Sequence, residues 1–209
     1  MLSQRLYIEV MPLPRIILMR HGETDWNAEA RLQGQRDIPL NALGREQAAS
    51  AGKTLLNLLG PAGLSRPEVH WVSSPLGRTV ETMDLARNAA GLKTGGYHLD
   101  HRLKELTFGE WEGLTWPEVQ ARSPQSANWR EGDKWNFVPP GGESYRMLAD
   151  RIRPWLRELT TETIVATHGG VARVLLAEVS GMDFQRAALE PIAQGRLLIF
   201  YHGKWSWAG

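Results

Sequence analysis

Short apolar runs alternate with longer segments of mixed polarity along most of the chain. Residues 16–19, 69–72 and 164–167 form such runs, which are typical of strands buried on both faces of a sheet. The segments between them are long enough for helices that cross from one parallel strand to the next. The pattern therefore predicts a single α/β domain, with a mostly parallel central sheet flanked by helices.

Capping residues indicate where two of the helices begin and end. Asn41 is a suitable N-cap for a helix that runs through Leu59 and stops at Gly60-Pro61. Ser74-Pro75 supplies an N-cap and a first-turn proline for the next helix. Its apolar face is expected to carry Leu76, Val80 and Met83.

The last third of the chain continues the alternation. A helix is expected from Glu143-Ser144 to about Leu159, interrupted or bent at Pro154, and a short helix from Gly170 onward. Residues 197–201 and 205–207 predict a closing hairpin.

The predicted strand ends carry the residues with the most chemistry. Arg20 and His21 follow the first run, His168 follows the third, and the second leads through two serines to Arg78. Because parallel strands end at one edge of a sheet, we expect these side chains to converge. Guanidinium groups bind phosphate oxygens and an imidazole can attack phosphorus, so this edge is predicted to transfer a phosphoryl group.

Several motifs in a fixed order make the prediction more specific. In this order they resemble the histidine phosphatase superfamily, also called phosphoglycerate mutase-like, from Arg15 to about Tyr201. The motifs are Arg20-His21-Gly22-Glu23-Thr24 with Asn27, Gln33-Gly34, Pro39-Leu40, Gly44 with Gln47-Ala48, Ser73-Ser74 with Arg78 and Thr82, Glu105 with Gly109 and Trp111-Glu112-Gly113, Gly141-Gly142-Glu143-Ser144, and Thr167-His168-Gly169-Gly170.

The resemblance and the demands of phosphoryl transfer together imply a role for each catalytic residue. His21 would attack phosphorus through one ring nitrogen while a backbone acceptor holds the other. Arg20 and Arg78 would clamp the phosphoryl oxygens, and His168 would bind one of them, best when charged. Glu105 would protonate the leaving oxygen and then deprotonate the attacking water.

Other assignments rest on position in the family pattern. Asn27 and Gln33 match positions that contact phosphate through side-chain amides, Gly34 would allow close backbone approach, and Gly169 completes the phosphate-binding set. For the general acid, the alternatives are the nearby carboxylates of Glu110, Glu112 and Glu118.

No metal and no other cofactor is expected. Two arginines and a histidine would supply the positive charge that a metal ion supplies in other phosphoryl-transfer sites. The remaining histidines show no metal-ligand spacing and are expected to be surface or packing residues. They are His70, His98, His101 and His202.

Composition limits the function classes without choosing among them. The 209 residues suit one domain, and a net charge of +1 gives no field that would attract nucleic acid or a membrane surface. No apolar stretch is long enough to span a bilayer, and the N-terminus lacks a signal-peptide core. The chain has no cysteine, which excludes disulfides and leaves the redox compartment open, with the cytoplasm as the plain expectation. A homo-oligomer remains open.

Residues 1–14 fall outside the family pattern. Pro12 and Pro14 separate them from the first strand, so this N-terminal extension could be an edge strand, a flexible tail, or the result of an upstream start, with Met11 as the alternative start. Residues 15–209 are expected to form the catalytic domain.

Residues 106–140 are predicted to be a lid-like insertion over the active site. Their tryptophans either pack the insertion against the domain or form an apolar wall for the substrate. Mutases of the family carry adjacent arginines and a lysine here, whereas this segment has no adjacent basic pair. We therefore expect a second anionic group to be held weakly, as in the phosphatase branch.

Three hypotheses follow from these observations. The preferred one is a phosphomonoester hydrolase that acts on a small phosphorylated metabolite. The second is a cofactor-dependent phosphoglycerate mutase, and the third is a module that binds a phosphorylated ligand without catalysis. The complete set of predicted catalytic residues argues against the third, because a binding module needs no general acid.

Overall fold

The computed structural model describes residues 13–209, which form six strands and eight α-helices. The strands are β1 Ile16–Arg20, β2 His70–Ser73, β3 His98–Leu99, β4 Thr163–Thr167, β5 Leu197–Tyr201 and β6 Lys204–Ala208. The helices are α1 Asp25–Ala28, α2 Ala42–Leu64, α3 Gly77–Ala89, α4 Trp116–Arg122, α5 Pro124–Gly132, α6 Tyr145–Glu158, α7 Gly169–Ser180 and α8 Phe184–Leu189.

All six strands join one sheet in the order β3-β2-β4-β1-β5-β6. Strands β1 to β4 are parallel, and β5 and β6 close the sheet as an antiparallel hairpin. The predicted α/β domain with a mostly parallel sheet is confirmed. In the register of β1 with β4, Arg20 pairs with Thr167, so the residues that follow the two strands leave the sheet at one level.

The sheet is buried on both faces, which explains its continuous apolar runs. Ile16 and Leu18 face a core formed with α6, α7 and α8, whereas Ile17 and Met19 face a second core formed with α2 and α3. Because alternate residues of one strand point to opposite faces, both layers are packed from a single short segment.

Capping explains most helix starts. Asn41 caps α2 by accepting a hydrogen bond from the amide of Gly44, and Ser144 caps α6 by accepting one from Met147. At the other end of α2, Gly60 has a positive φ of 65° that breaks the helix, but a further turn continues to Leu64. The predicted stop at Gly60-Pro61 is therefore a kink.

One other helix prediction was wrong in detail. The N-cap of α3 is Leu76, without a side-chain bond, because the hydroxyl of Ser74 is engaged elsewhere. Helix α6 continues through Pro154, so of the two alternatives predicted there the interruption does not occur. The predicted short helix near Gly170 is α7, which has 12 residues and begins at Gly169.

The predicted insertion has its own small core. Within residues 106–140, helices α4 and α5 pack around Trp111, Val119, Ala127 and Phe137, all of which are buried. A polar contact network ties this unit to the loop after α1, with Gly113 donating to the carbonyl of Leu32. The unit is thus a folded part of the domain.

The N-terminal predictions lie mostly outside the described residues. The alternatives for residues 1–14 concern a segment of which only Leu13 and Pro14 are described, and Leu13 packs against the core. Among residues 13–209 there is no helix with the length and apolar character needed to cross a membrane.

Candidate active site

His21 lies directly after β1, in a backbone position fixed by the sheet. Its amide donates to the carbonyl of Thr167 at 2.9 Å, which extends the β1–β4 pairing by one residue. The side chain is 3% exposed, and its Nδ1 lies 2.7 Å from the carbonyl oxygen of Gly22. A carbonyl can only accept, so Nδ1 carries the proton and Nε2 keeps its lone pair.

His168 lies after β4, and its ring centroid is 5.3 Å from that of His21. Its Nε2 is 2.8 Å from the hydroxyl oxygen of Ser74, which also accepts from the amide of Leu76 at 3.4 Å. We assign the hydroxyl of Ser74 as the donor to Nε2, which places the ring proton of His168 on Nδ1. Nδ1 is buried without a hydrogen-bond partner among the described residues, so it is a donor available to a ligand.

Both histidines are neutral in this environment. Burial lowers the pKa of each imidazole well below the usual 6.5, and the guanidinium groups of Arg78 and Arg20 lower it further. This direction applies to the site without an anion, because a fully buried imidazole beside two cations loses its proton easily. The expectation that His168 binds the transferring phosphoryl group best when charged concerns the occupied site and stays a prediction.

Arg78 is held mainly by backbone carbonyls, and its nearest carboxylate is that of Asp37, whose Oδ1 lies 4.0 Å from Nη1. The side chain is 1% exposed, and its two terminal nitrogens donate to the carbonyls of Arg36 and Gly34 at 2.6 and 2.8 Å. Its Nε is buried without a partner among the described residues. This arrangement fixes the guanidinium plane while leaving donors for a phosphoryl group.

Arg20 ends β1 and points to the same place. Its Nη1 donates to the carbonyl of Ile192 at 2.7 Å, and its Nε is buried without a partner in residues 13–209. Burial, and then the charge of Arg173, lowers the pKa of Arg20 to about 10. Two arginines with unsatisfied buried donors favour an anion, because a buried unpaired donor costs about 1–3 kcal/mol.

Glu105 faces the N-terminus of α7. Its two carboxylate oxygens accept from the amide of Gly170 at 3.1 and 3.0 Å, and Oε1 also accepts from its neighbour Leu106. A methyl group on Gly170 would lie 2.2 Å from Oε1, so only glycine allows this approach.

The alternative carboxylates are engaged elsewhere or exposed. Glu112 accepts from Gln35, Thr107 and Phe108, Glu118 caps α4, and Glu110 is exposed. Of these carboxylates, Glu105 is the one held at the start of α7, two residues after His168, and its catalytic role stays a prediction.

The side-chain amides of Asn27 and Gln33, both predicted to contact phosphate, differ in which of their atoms lacks a hydrogen-bond partner. The oxygen of Asn27 accepts from the amide of Thr24 and from the side chain of Gln194, and its NH₂ group makes no hydrogen bond within the described residues. The NH₂ group of Gln33 donates to the hydroxyl of Thr24 at 2.7 Å, and its oxygen is buried without a partner there. Asn27 is therefore the better placed donor to a phosphate.

The two glycines of the predicted set act through their neighbours. Gly34 has a φ of 55°, and a methyl group there would lie 2.0 Å from Oε1 of Glu112. Its carbonyl holds Arg78, so the close approach it allows is to the protein itself. Gly169 begins α7, and a methyl group there would lie 3.6 Å from Nε of Arg20.

Sequence reasoning missed residues that position the site. Ser74 was interpreted as a cap, and Gln194 and Arg173 were not considered. Gln194 donates to the carbonyl of His21 at 3.1 Å as well as to Asn27, which joins the loop before β5 to the backbone of His21. Glutamine in a loop carries no sequence signal for such a contact, whereas Arg173 lies one turn after the His168-Gly169 pair and could have been weighed.

Two of the four tryptophans of the insertion, Trp111 and Trp135, pack in the core, whereas Trp116 is half-buried and Trp129 is 71% exposed. Trp111 is 3% exposed and stacks on Phe137 at 5.3 Å, and Trp135 is 4% exposed and stacks on Tyr145 and Phe184. Neither has much surface for a substrate. No group of three or more His, Asp or Glu side chains within residues 13–209 is arranged to hold a metal ion.

The chain can now be compared with known proteins. Residues 16–208 match the family model of the histidine phosphatase superfamily (branch 1). This match spans nearly the whole chain, so the protein belongs to the histidine phosphatase superfamily.

Individual relatives carry phosphatase and mutase names. A glucosyl-3-phosphoglycerate phosphatase from Mycolicibacterium vanbaalenii is 34% identical over 185 residues, 82% of this chain and 76% of the relative. A "probable phosphoglycerate mutase" from Salmonella paratyphi B is 32% identical over 177 residues, 80% of this chain and 75% of the relative. The structure of a mycobacterial glucosyl-3-phosphoglycerate phosphatase complexed with VO3 is similar with a TM-score of 0.75 at 30% identity, covering 93% of this chain and 96% of that chain.

Proposed function

We propose that this protein is a phosphomonoester hydrolase that acts through a phosphohistidine on His21. The observation that carries the proposal is the tautomer of His21. Its Nδ1 proton is directed to the carbonyl of Gly22, so Nε2 offers a lone pair in a pocket with donors from Arg20, Arg78 and His168. A neutral imidazole next to buried, unsatisfied donors suits nucleophilic attack on a phosphoryl group.

The first half-reaction transfers the phosphoryl group to the protein. Nε2 of His21 forms a bond to phosphorus while the bond from phosphorus to the ester oxygen breaks. The leaving oxygen takes a proton from Glu105, and the Nε of each arginine with Nδ1 of His168 stabilises the charge on the equatorial oxygens.

The second half-reaction returns the nucleophile. Water attacks phosphorus, Glu105 takes the proton of that water, and the nitrogen–phosphorus bond breaks to release inorganic phosphate. One carboxylate can serve both steps because the first leaves it deprotonated for the second.

The substrate class follows from the relatives and the site together. The names of the relatives support a small phosphorylated metabolite, with glucosyl-3-phosphoglycerate among the first to test. The same proposal expects no metal, no nucleic-acid partner and a cytoplasmic location, and it treats residues 106–140 as a lid over the pocket.

The test is the loss of covalent transfer in His21→Ala. We expect kcat for phosphate release to fall at least about a thousandfold, because the covalent route is deleted. After rapid acid-free quenching with a labelled substrate, acid-labile phosphate should map to His21 in the unaltered protein. The matched control is His98→Ala, since His98 is exposed on edge strand β3. Full activity in His21→Ala, or label on another residue, would contradict the mechanism.

A further inference from the structure

Arg151, on α6, reaches the loop that carries Glu105. Its Nη1 donates to the carbonyl of Lys104 at 3.0 Å and also to that of Arg102, and its Nη2 lies 3.4 Å from the carbonyl of Glu105. Three of the four carbonyls in residues 102–105 are thus turned towards one guanidinium group. Backbone carbonyls away from water need donors, and here a single side chain supplies them.

The other edge of the same guanidinium group is held by Glu143. Nε of Arg151 lies 3.1 Å from Oε1 and Nη2 lies 2.8 Å from Oε2, so the ion pair is bidentate. All five N–H groups of Arg151 then have an acceptor within the protein. Arg20 and Arg78 differ from it, because each keeps a buried Nε without a partner in residues 13–209. Arg151 is therefore built to hold protein groups, whereas the other two arginines keep donors for a ligand.

The contacts of Arg151 fix the direction in which the side chain of Glu105 leaves the backbone. The carbonyls of Lys104 and Glu105 lie in the two peptide planes that flank the α-carbon of Glu105. Because each peptide is planar, holding both carbonyls leaves the Cα–Cβ bond one direction. Gln35 shares the carbonyl of Glu105 at 3.0 Å, and the amide of Gly170 holds the carboxylate. Glu105 is thus held at both ends, and Arg151 acts at the backbone end.

We propose that Arg151, aligned by Glu143, is a positioning residue that holds Glu105 in place to protonate the leaving oxygen. This inference deepens the proposed function and rests on it, because it takes Glu105 to be the general acid. A displacement of a catalytic group by about 1 Å can cost a hundredfold in rate, so a residue that only orients the acid still affects catalysis strongly.

The dependence of the rate on the leaving group separates positioning from general structural support. kcat/KM covers the step in which the ester bond breaks, and in that step only a poor leaving group needs the acid. We expect Arg151→Ala to lower kcat/KM for alkyl phosphates by up to about a hundredfold and to leave the value for aryl phosphates nearly unchanged. Loss of fold or of phosphate binding would instead lower both values equally.

Arg151→Lys shows whether the planar guanidinium group or only its charge is needed. Burial is the main cause that lowers the pKa of His168, and the charge of Arg151 is the smallest. Lysine keeps that charge, but its compact ammonium group does not reproduce the fork that spans Glu143 and the loop carbonyls. We expect Arg151→Lys to show the same selective loss as Arg151→Ala. If Arg151→Ala does not fold, the comparison of alkyl and aryl esters is made with Arg151→Lys.

Arg153→Ala is the matched control. Arg153 lies on the same helix and forms a bidentate ion pair with Glu178, from Nε at 3.0 Å and from Nη2 at 2.8 Å. Its hydrogen bonds within the described residues go to carboxylates, and none goes to residues 102–105. The variant therefore loses a similar ion pair without releasing the loop, and both kcat/KM values should stay as they are.

A double variant tests whether Arg151 acts through Glu105. In Glu105→Gln the acid is already absent, so adding Arg151→Ala should cost little more with alkyl phosphates. Full additivity of the two losses would overturn the proposal, as would equal losses for alkyl and aryl esters in Arg151→Ala or full activity in Arg151→Lys.

Glu105→Gln alone shows which proposal fails. If it is selective for alkyl esters and Arg151→Ala is not, Glu105 stands as the general acid and Arg151 has no positioning role. If Glu105→Gln slows both kinds of ester equally, the general-acid part of the proposed function fails, and the positioning role of Arg151 fails with it.

Discussion

The two buried histidines predict how the stability of the protein depends on pH. His21 and His168 are neutral in the folded state because burial lowers the pKa of each well below 6.5, whereas in the unfolded chain each has its usual pKa. Below pH 6.5 the unfolded state therefore binds more protons than the folded state. Stability should fall as the pH drops from 6.5 towards the lower pKa of the folded protein.

The size of the effect follows from linkage. A histidine that stays neutral in the folded state costs about 1.4 kcal/mol for each pH unit below the pKa of the unfolded chain. Between pH 7.5 and 5.5, the two histidines together should then lower the free energy of unfolding by up to about 2.7 kcal/mol. Exposed groups add further pH dependence, so the comparison must isolate this pair.

The assay is urea unfolding at pH 7.5 and 5.5 of the unaltered protein and of the double variant His21→Gln/His168→Gln. Glutamine does not titrate, so the difference between the two pH values should shrink by about the amount just given. His202→Gln, at an exposed position in the turn between β5 and β6, is the control and should leave the difference unchanged. Inorganic phosphate should also reduce it, because a bound dianion favours the charged form of His168.

The reasoning is refuted if the double variant keeps the pH difference of the unaltered protein to within about 0.5 kcal/mol. That result would mean that both imidazoles take up protons in the folded state as readily as in the unfolded chain. The neutral nucleophile on which the proposed mechanism depends would then lack support at mildly acidic pH.

Three further predictions concern the rest of the site. Glu105→Gln should slow the hydrolysis of alkyl phosphates far more than that of aryl phosphates, because an aryl leaving group departs without a proton. Gly170→Ala, which crowds the same carboxylate, should show the same selectivity. Equal losses for both kinds of ester would mean that another residue is the general acid. Phosphatase activity should survive exhaustive removal of metal ions with a chelator. A loss of activity that an added divalent ion restores would contradict this prediction. Trp111→Ala should lower stability by about 3–5 kcal/mol, measured by urea unfolding, since Trp111 is core; a raised KM at unchanged stability would restore the substrate-wall interpretation.

The sheet could be predicted from the sequence because its strands are buried on both faces. Residues 16–19 are apolar without alternation, and the structure places Ile16–Arg20 at the centre of the sheet. The hairpin was equally clear, since His202 and Gly203, both with positive φ, form the turn between β5 and β6. The local sequence pattern was sufficient to predict these strands because their secondary structure and their burial follow the same pattern.

Ser74 shows why other features could not be predicted. Its sequence context, a serine before a proline, is typical of a helix N-cap, and in isolation the hydroxyl would serve that purpose. In the fold the hydroxyl lies 2.8 Å from Nε2 of His168, which is far away in sequence. A buried imidazole without that contact would lack a fixed tautomer, so the tertiary contact decides the role of the serine.

The site residues could be predicted from the strand ends, because the register of β1 with β4 places the residues that follow the two strands at the same level. The choice between hydrolysis and mutase chemistry gives no such signal, because both reactions use the same proposed catalytic residues. What separates the two reactions is whether water or the product reaches the phosphohistidine first.

In the proposed mechanism Glu105 serves the water step, and the contacts that hold it do not depend on the leaving group. Its carboxylate is held by the amide of Gly170 and by that of Leu106, both of which belong to the protein backbone. When the leaving group departs, these backbone contacts keep the carboxylate in place to accept a proton from water. A base held in this way is ready as soon as the product leaves, so in the proposed mechanism the rate of product release decides how much of the phosphohistidine is hydrolysed.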